Sequence, residues 1–369
     1  TYLLAASAGG GVFKSIDGAY SWFPTMHDEE SLSIGAIAFA PGDPSIVYAG
    51  TGEYVGCSWT AASAYPGVGV YRSSNYGHSD WQLMPSMSSD KISKILVHPQ
   101  NPNLIYVAGN GGIDRWDENT HSWTNISSIN TSDMVFHPND PKTIYAARES
   151  PQGIKVTFDA EAAVPIWNLR DRGITYPTNM GCYFIKLDIS PIAPSPVYAR
   201  INAEQQVSAS PPKWEYAISL NYRSMNGGDD WHQIGSSAGG SQGIWTSFIK
   251  VNPTNSFHVL AGGTALAHQP FHSTDWLNLG SGHVDNHDMV FDPNNSNSWF
   301  KSYVANDGGV WRYASNNLWS SWDYIDANHY LETAQFYTVS TSQWGVFTVG
   351  GSTQDQGILV GHASTNFEA

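Results

Sequence analysis

Short apolar runs recur along the chain, each stopped by a cluster of Pro, Asn and Asp and followed by a second apolar run that ends in small residues. The pattern is clearest in AIAFAPGDPSIVYAGTGE (36–53), KILVHPQNPNLIYVAGNGG (94–112), DMVFHPNDPKTIYAARES (133–150), IKLDISPIAPSPVYARIN (185–202), FIKVNPTNSFHVLAGGT (248–264) and DMVFDPNNSNSWFKSYVANDGG (288–309). Runs of this length, rich in Val, Ile, Phe and Tyr, predict strands, and a proline-bearing turn cannot continue a ladder between them. A third strand follows in GVFKS (11–15), GVGVYRS (67–73) and GGVWRY (308–313), then a Ser-rich turn and a fourth strand that begins at Trp. One unit is thus a four-stranded antiparallel meander of about 45 residues, the period of a propeller blade. Eight units divide the chain at approximately 1–30, 31–90, 91–130, 131–175, 176–238, 239–281, 282–330 and 331–369, the first lacking its opening strand and the last its closing one. The predicted fold is all-β, a single seven- or eight-bladed propeller over 1–369, whose C-terminal strands either complete the first blade or lead into a second propeller.

The turn between third and fourth strands repeats in outline. It reads SIDGAYSW (15–22), SSNYGHSDW (73–81), SMNGGDDW (224–231) and, weakly, SNNLWSSW (315–322). Ser, Asp and Asn at such positions hydrogen-bond their own turn, Gly accepts unusual backbone angles, and Trp has a large ring to bury between blades. In series these turns resemble the Asp-box, or BNR repeat, of sialidase-like propellers, sortilin ectodomains and xyloglucanase-type glycoside hydrolases. The resemblance implies a structural role for Ser15, Asp17 and Trp22, for Ser73, Asn75 and Trp81, and for Ser224, Asn226 and Trp231, with Ala19, Asn75 and Asn226 departing from the usual residues. A sialidase itself is disfavoured, because YARIN (198–202) lacks the Pro of an Arg-Ile-Pro segment and sits mid-chain.

Composition narrows the function. Charged residues make up only 13% of the chain and the net charge is −15, so the summed field repels phosphate backbones and nucleic acid is excluded as a partner. No apolar run approaches the roughly 18 to 20 residues that span a bilayer, so membrane insertion is not expected. The opening at Thr1 inside a strand-like segment reads as a mature or trimmed piece. Two cysteines, Cys57 and Cys182, form no CxxC motif, and spacing leaves open whether they pair. Three Asn-x-Ser sequons, at Asn125, Asn130 and Asn294, suit a secreted surface. GGSQG (239–243) matches the nucleophile-elbow pattern formally, but it sits in a loop between blades where that chemistry has no scaffold.

Because successive hairpins alternate ends, the proline turns and Ser-rich turns share one face, and the remaining loops share the other. That second face collects Glu53, Glu149, His268, His283, Asp285, His287, Asp307 and Asp355, with the long insert YVGCSWTAASAYPG (54–67). GTGE (50–53), HVDNH (283–287), NDGGVWR (306–312), QFYTVS (335–340) and GGSTQDQG (350–357) are similar, in that order, to large secreted bacterial BNR-repeat proteins. The resemblance implies an extracellular or cell-surface location, and further repeats after the TQD segment. His283, Asp285 and His287 alternate, so on an extended backbone they point the same way and suit a bound metal ion, calcium or zinc, although no cofactor is required. Asp307 and Asp355 close the second strands of consecutive units and are candidates for the carboxylate pair of a glycoside hydrolase. Glu53, Trp59, Tyr65 and Gln354 are candidate ligand-binding residues, the two aromatics as platforms for sugar rings. The leading expectation is a propeller that binds a glycan or an extracellular protein; the alternative is a glycoside hydrolase acting on a polysaccharide. Fold analogy alone does not choose between them.

Overall fold

The computed structural model describes residues 2–55, 64–149, 151–178, 180, 182–209, 212–235, 246–270, 273–280, 282–295, 299–316, 322–331, 336–341, 348–353 and 357–362. Trp59, Gln354, Asp355, Cys57 and the GGSQG segment fall outside these residues. The chain is a seven-bladed propeller. Six blades are four-stranded antiparallel sheets in sequential strand order and blade I has three strands, Leu3–Ser7, Gly11–Ser15 and Phe23–Pro24. The innermost strands of blades II to VII are Ile34–Ala40, Ile92–Val97, Thr131–His137, Cys182–Ile189, Phe248–Asn252 and Asn286–Phe291. The eighth unit forms a separate three-stranded sheet of Phe336–Thr341, Thr348–Thr353 and Gly357–His362.

Ring closure decides between seven and eight blades. Buried clusters join each consecutive pair of blades, and the last joins blade VII to blade I through Tyr303, Val310, Phe13 and Trp22. Each interface is a strip of alternate strand residues sealed against the neighbouring sheet, the arrangement that removes exposed sheet faces without a single large core.

In blades I to VI the tryptophan at the outermost strand has a second task. Its indole N–H donates to a backbone carbonyl of the preceding blade: Trp22 to Ala327 (2.6 Å), Trp81 to Thr25 (3.0 Å), Trp123 to Pro85 (2.8 Å), Trp167 to Ile126 (3.0 Å), Trp231 to Arg170 (2.9 Å) and Trp276 to Ile234 (3.0 Å). A buried indole that kept its N–H unbonded would be costly, so these bonds fix both the depth of the ring and the spacing of the blades.

The Ser-x-Asp turns that precede these tryptophans are self-contained. Ser15 Oγ donates to Asp17 Oδ1 (2.8 Å) and accepts from the Ala19 amide (2.9 Å), while Asp17 accepts from the amides of Tyr20 and Ser21 (both 3.0 Å) and from Ser21 Oγ (2.6 Å). Ser224 and Asn226 repeat the scheme, with Gly228 donating to Ser224 Oγ (2.8 Å) and Asp230 N to Asn226 Oδ1 (2.9 Å). The fifth turn residue has φ 69° in Ala19 and 87° in Gly228, which explains why Gly suits this place and Ala is strained there. Ser73 and Asn75 hold their turn through Ser79, whose carbonyl accepts from Ser73 Oγ (2.8 Å) and whose Oγ accepts from Asn75 Nδ2 (3.1 Å).

Candidate functional site

At the face opposite these turns the central channel widens into a cavity of about 1320 Å³. Its lower wall is a belt of charge on the innermost strands: Lys94, Asp133, Lys186, Lys250 and Asp288. Pairs cross from blade to blade, Lys94 Nζ to Asp133 (3.4 Å) and Lys250 Nζ to Asp288 (3.0 Å). Enclosure by the channel walls alone would raise the Asp288 pKa, but Lys250 and Lys94 outweigh it and hold the carboxyl at about 2. Enclosure lowers the Lys186 pKa, while its ammonium lies 4.7 Å from the Phe184 ring centroid.

Two of the sequence candidates meet on blade VII. His287 is the second residue of the inner strand and Asp307 opens the turn after the second strand, and His287 Nε2 lies 2.5 Å from Asp307 Oδ1. Both remain open to the cavity, with side-chain exposures of 44% and 30%. The Asn-Asp-Gly-Gly turn aims Asp307 by tight backbone packing. Gly309 has φ 102°, and a Cβ there would fall 2.1 Å from Asn328 Oδ1, the atom that accepts from the Val310 amide (2.6 Å).

Glu53 and Tyr65 come together on the blade II side of the same cavity. The Glu53 amide donates to the Tyr65 carbonyl (2.8 Å), and the Tyr65 amide donates to Glu53 Oε2 (3.4 Å). Tyr65 is 52% exposed, a ring available for contact. Glu53 and Asp307 therefore stand on two sides of one opening, flanking blade I, although they are far apart in sequence.

Two expectations need correction. His283, Asp285 and His287 do not lie on one extended segment, because Asp285 has φ 60° and the strand starts only at Asn286. The alternation is broken, and among the described residues no group of three or more His, Cys, Asp or Glu is placed to hold a metal ion. His268 is not on the loop face either. It lies inside blade VI with His258, Nδ1 to Nε2 3.0 Å, where burial lowers the pKa values to about 4 for His268 and about 3 for His258, the latter lowered further by its neighbour. Both are neutral and meet edge to face within the core, and His268 meets Trp322 in the same way.

The most perturbed carboxyl near the cavity is Glu149, at the end of the second strand of blade IV. It is 9% exposed, and burial pushes its pKa up to about 8 against the opposing pull of Tyr54 and Lys186. Sequence reasoning placed Glu149 on this face but assigned it no role, and did not single out Tyr54. Glu204, at the matching level of blade V, is raised by burial to about 7.

No family description and no curated protein matches the chain. Among solved structures, it superposes on an ancestral GH74 enzyme with a TM-score of 0.66 at 16% identity, over 97% of this chain and 51% of that one. It superposes on the GH74 xyloglucanase from Xanthomonas campestris with a TM-score of 0.68 at 14% identity, over 96% of this chain and 56% of that one. At such identity the likeness concerns the fold, and this chain spans about half the length of either structure.

Proposed function

We propose that the chain is a carbohydrate-active propeller that takes a polysaccharide outside the cell and contributes carboxylates to glycoside hydrolysis at the channel mouth. The observation that carries this reading is the placing of Glu53 and Asp307 around one cavity of about 1320 Å³ with an exposed aromatic, Tyr65, beside them. Hydrolysis of a glycosidic bond needs one carboxyl to protonate the leaving oxygen and another to activate water or attack the sugar. Asp307 is the carboxyl whose direction is fixed, because its hydrogen bond with the His287 imidazole orients it at the opening. Glu53 lies across the opening, and Asp355 is the further carboxylate to test. Support from likeness is confined to the propeller fold, which the chain has in common with GH74 enzymes, one of them named a xyloglucanase.

The test is reducing-end release from a panel of plant and microbial polysaccharides, xyloglucan included, by the parent, Asp307→Asn, Glu53→Gln and Asp355→Asn. Loss of about a hundredfold or more in Asp307→Asn and in one partner variant, with unchanged circular dichroism, supports hydrolysis. Binding without release in the parent returns the protein to the class of glycan-binding modules.

A further inference from the structure

The loop that leaves the second strand of blade II crosses to the far side of the channel. Tyr54 lines the cavity there with its ring on Phe184 of blade V, centroids 6.4 Å apart and planes 28° from parallel. Lys186 flanks the same Phe184 at 4.7 Å, so the three side chains form a continuous wall. The Tyr54 hydroxyl points away from the cavity into the protein, where it faces the Glu149 carboxyl, and neither Tyr54 Oη nor Glu149 Oε1 has solvent access. What exposure Tyr54 retains therefore belongs to the rest of the residue rather than to its hydroxyl. Burying a carboxyl and a phenol with little besides each other costs stability, and here the cost comes with a tyrosine ring held at the cavity wall.

We propose that Tyr54 is an aromatic platform for a sugar ring on the blade IV and V side of the channel, and that the buried Glu149 carboxyl is a positioning residue that sets the ring from behind. This rests on the reading of the cavity as a glycan cleft. The wall has the features such a platform needs: a ring backed by a second ring, and a polar tip turned out of the ligand's way. It also lies in the same cavity as Asp307 but on other blades, so a chain of several sugar residues would reach both. Glu149 is faced by Tyr54 from blade II and Lys186 from blade V, and no other titratable group among the described residues acts on it. Below pH 8 it is neutral and compatible with its apolar surroundings. Above pH 8 an ionised carboxylate would draw in water and pull the Tyr54 hydroxyl towards itself as a donor, moving the ring.

The experiment measures the affinity of the parent and variants for cellohexaose and for a xyloglucan oligosaccharide by calorimetry between pH 6 and 9.5. Tyr54→Leu, which fills the space without a ring face, is expected to bind at least about tenfold more weakly, while Tyr54→Trp retains affinity. The parent is expected to lose affinity as pH rises through 8, and Glu149→Gln, which keeps the shape and cannot ionise, to hold it; a loss caused by Lys186 would persist in that variant. Unchanged affinity in Tyr54→Leu, or equal pH profiles in parent and Glu149→Gln, overturns the proposal and leaves the glycan cleft standing. Absence of binding to either oligosaccharide by the parent overturns the cleft itself and the platform with it.

Discussion

Around Asp17 and Asn226, on one face of the propeller, every turn oxygen named above has a partner within the same eight residues, and the tryptophan that follows is bonded to the preceding blade. Around Glu149, near the other face, a carboxyl and a phenol are buried facing each other, and neither is answered from within its own loop. Both settings are loop ends on the same kind of sheet, so the contrast is not imposed by the architecture. At these two places the fold treats polar groups differently: the turns satisfy their own within eight residues, whereas the Glu149 carboxyl and the Tyr54 hydroxyl depend on a contact made across the channel.

The contrast breaks most visibly with pH. Glu149 titrates near 4.5 in an unfolded chain and at about 8 in the fold, so between those values the native state holds a proton that the unfolded state releases. Stability contributed by this group is therefore greatest below pH 4.5, declines as pH rises towards 8, and is flat beyond it. The full span amounts to on the order of 5 kcal/mol as an upper bound. Guanidinium denaturation at pH 5 and pH 8 should show the parent losing stability over this interval and Glu149→Gln losing markedly less. Equal slopes would place Glu149 in a far more solvated setting than its 9% exposure indicates.

The opposite face should respond to truncation and be indifferent to ligand. Trp231 is 2% exposed and bonded to Arg170 O across the blade IV and V interface, so Trp231→Ala should cost about 3–5 kcal/mol. Glycan affinity, measured well below the unfolding midpoint, should remain that of the parent. A variant that lost affinity without losing stability would mean that the blade interface, and not the mouth, sets the geometry of the cleft.

How much of this could be read from the sequence follows from the range of the interactions. The blades were legible because proline turns, Ser-rich turns and tryptophans are local and repeat. The number seven was not, because it depends on Trp22 meeting Ala327 across the closure of the ring, a contact between residues 305 positions apart. His268 was misplaced by the short turn before it: the third strand starts at Leu266, which puts the imidazole inside the blade opposite Leu260. The expected alternation of His283, Asp285 and His287 is broken by the backbone angle at Asp285, which residue types do not announce. Tyr54 and Glu149 lie on different blades, and only a loop that crosses the channel brings them together.

The smallest effect lies within the turns and tests whether their departures from the common pattern are compensated. In the first turn Asp17 accepts from the Ser21 hydroxyl, and at the same offset in the other turn Asn226 donates through Nδ2 to Asp230 Oδ2 (3.0 Å). An acid is thus paired with a donor in one turn, and an amide with an acid in the other. Asn226→Asp would restore the commoner residue yet set two carboxylates against each other, with Arg172, 2.7 Å from Asp230, to absorb part of the repulsion. The expected outcome is a slight fall in the denaturation midpoint that shrinks as salt is added, and that Asn226→Asp combined with Asp230→Ser reverses. A midpoint that rises in the single variant would mean that the turn prefers an acid whatever lies beside it, and that Asn226 is retained for a reason outside the turn.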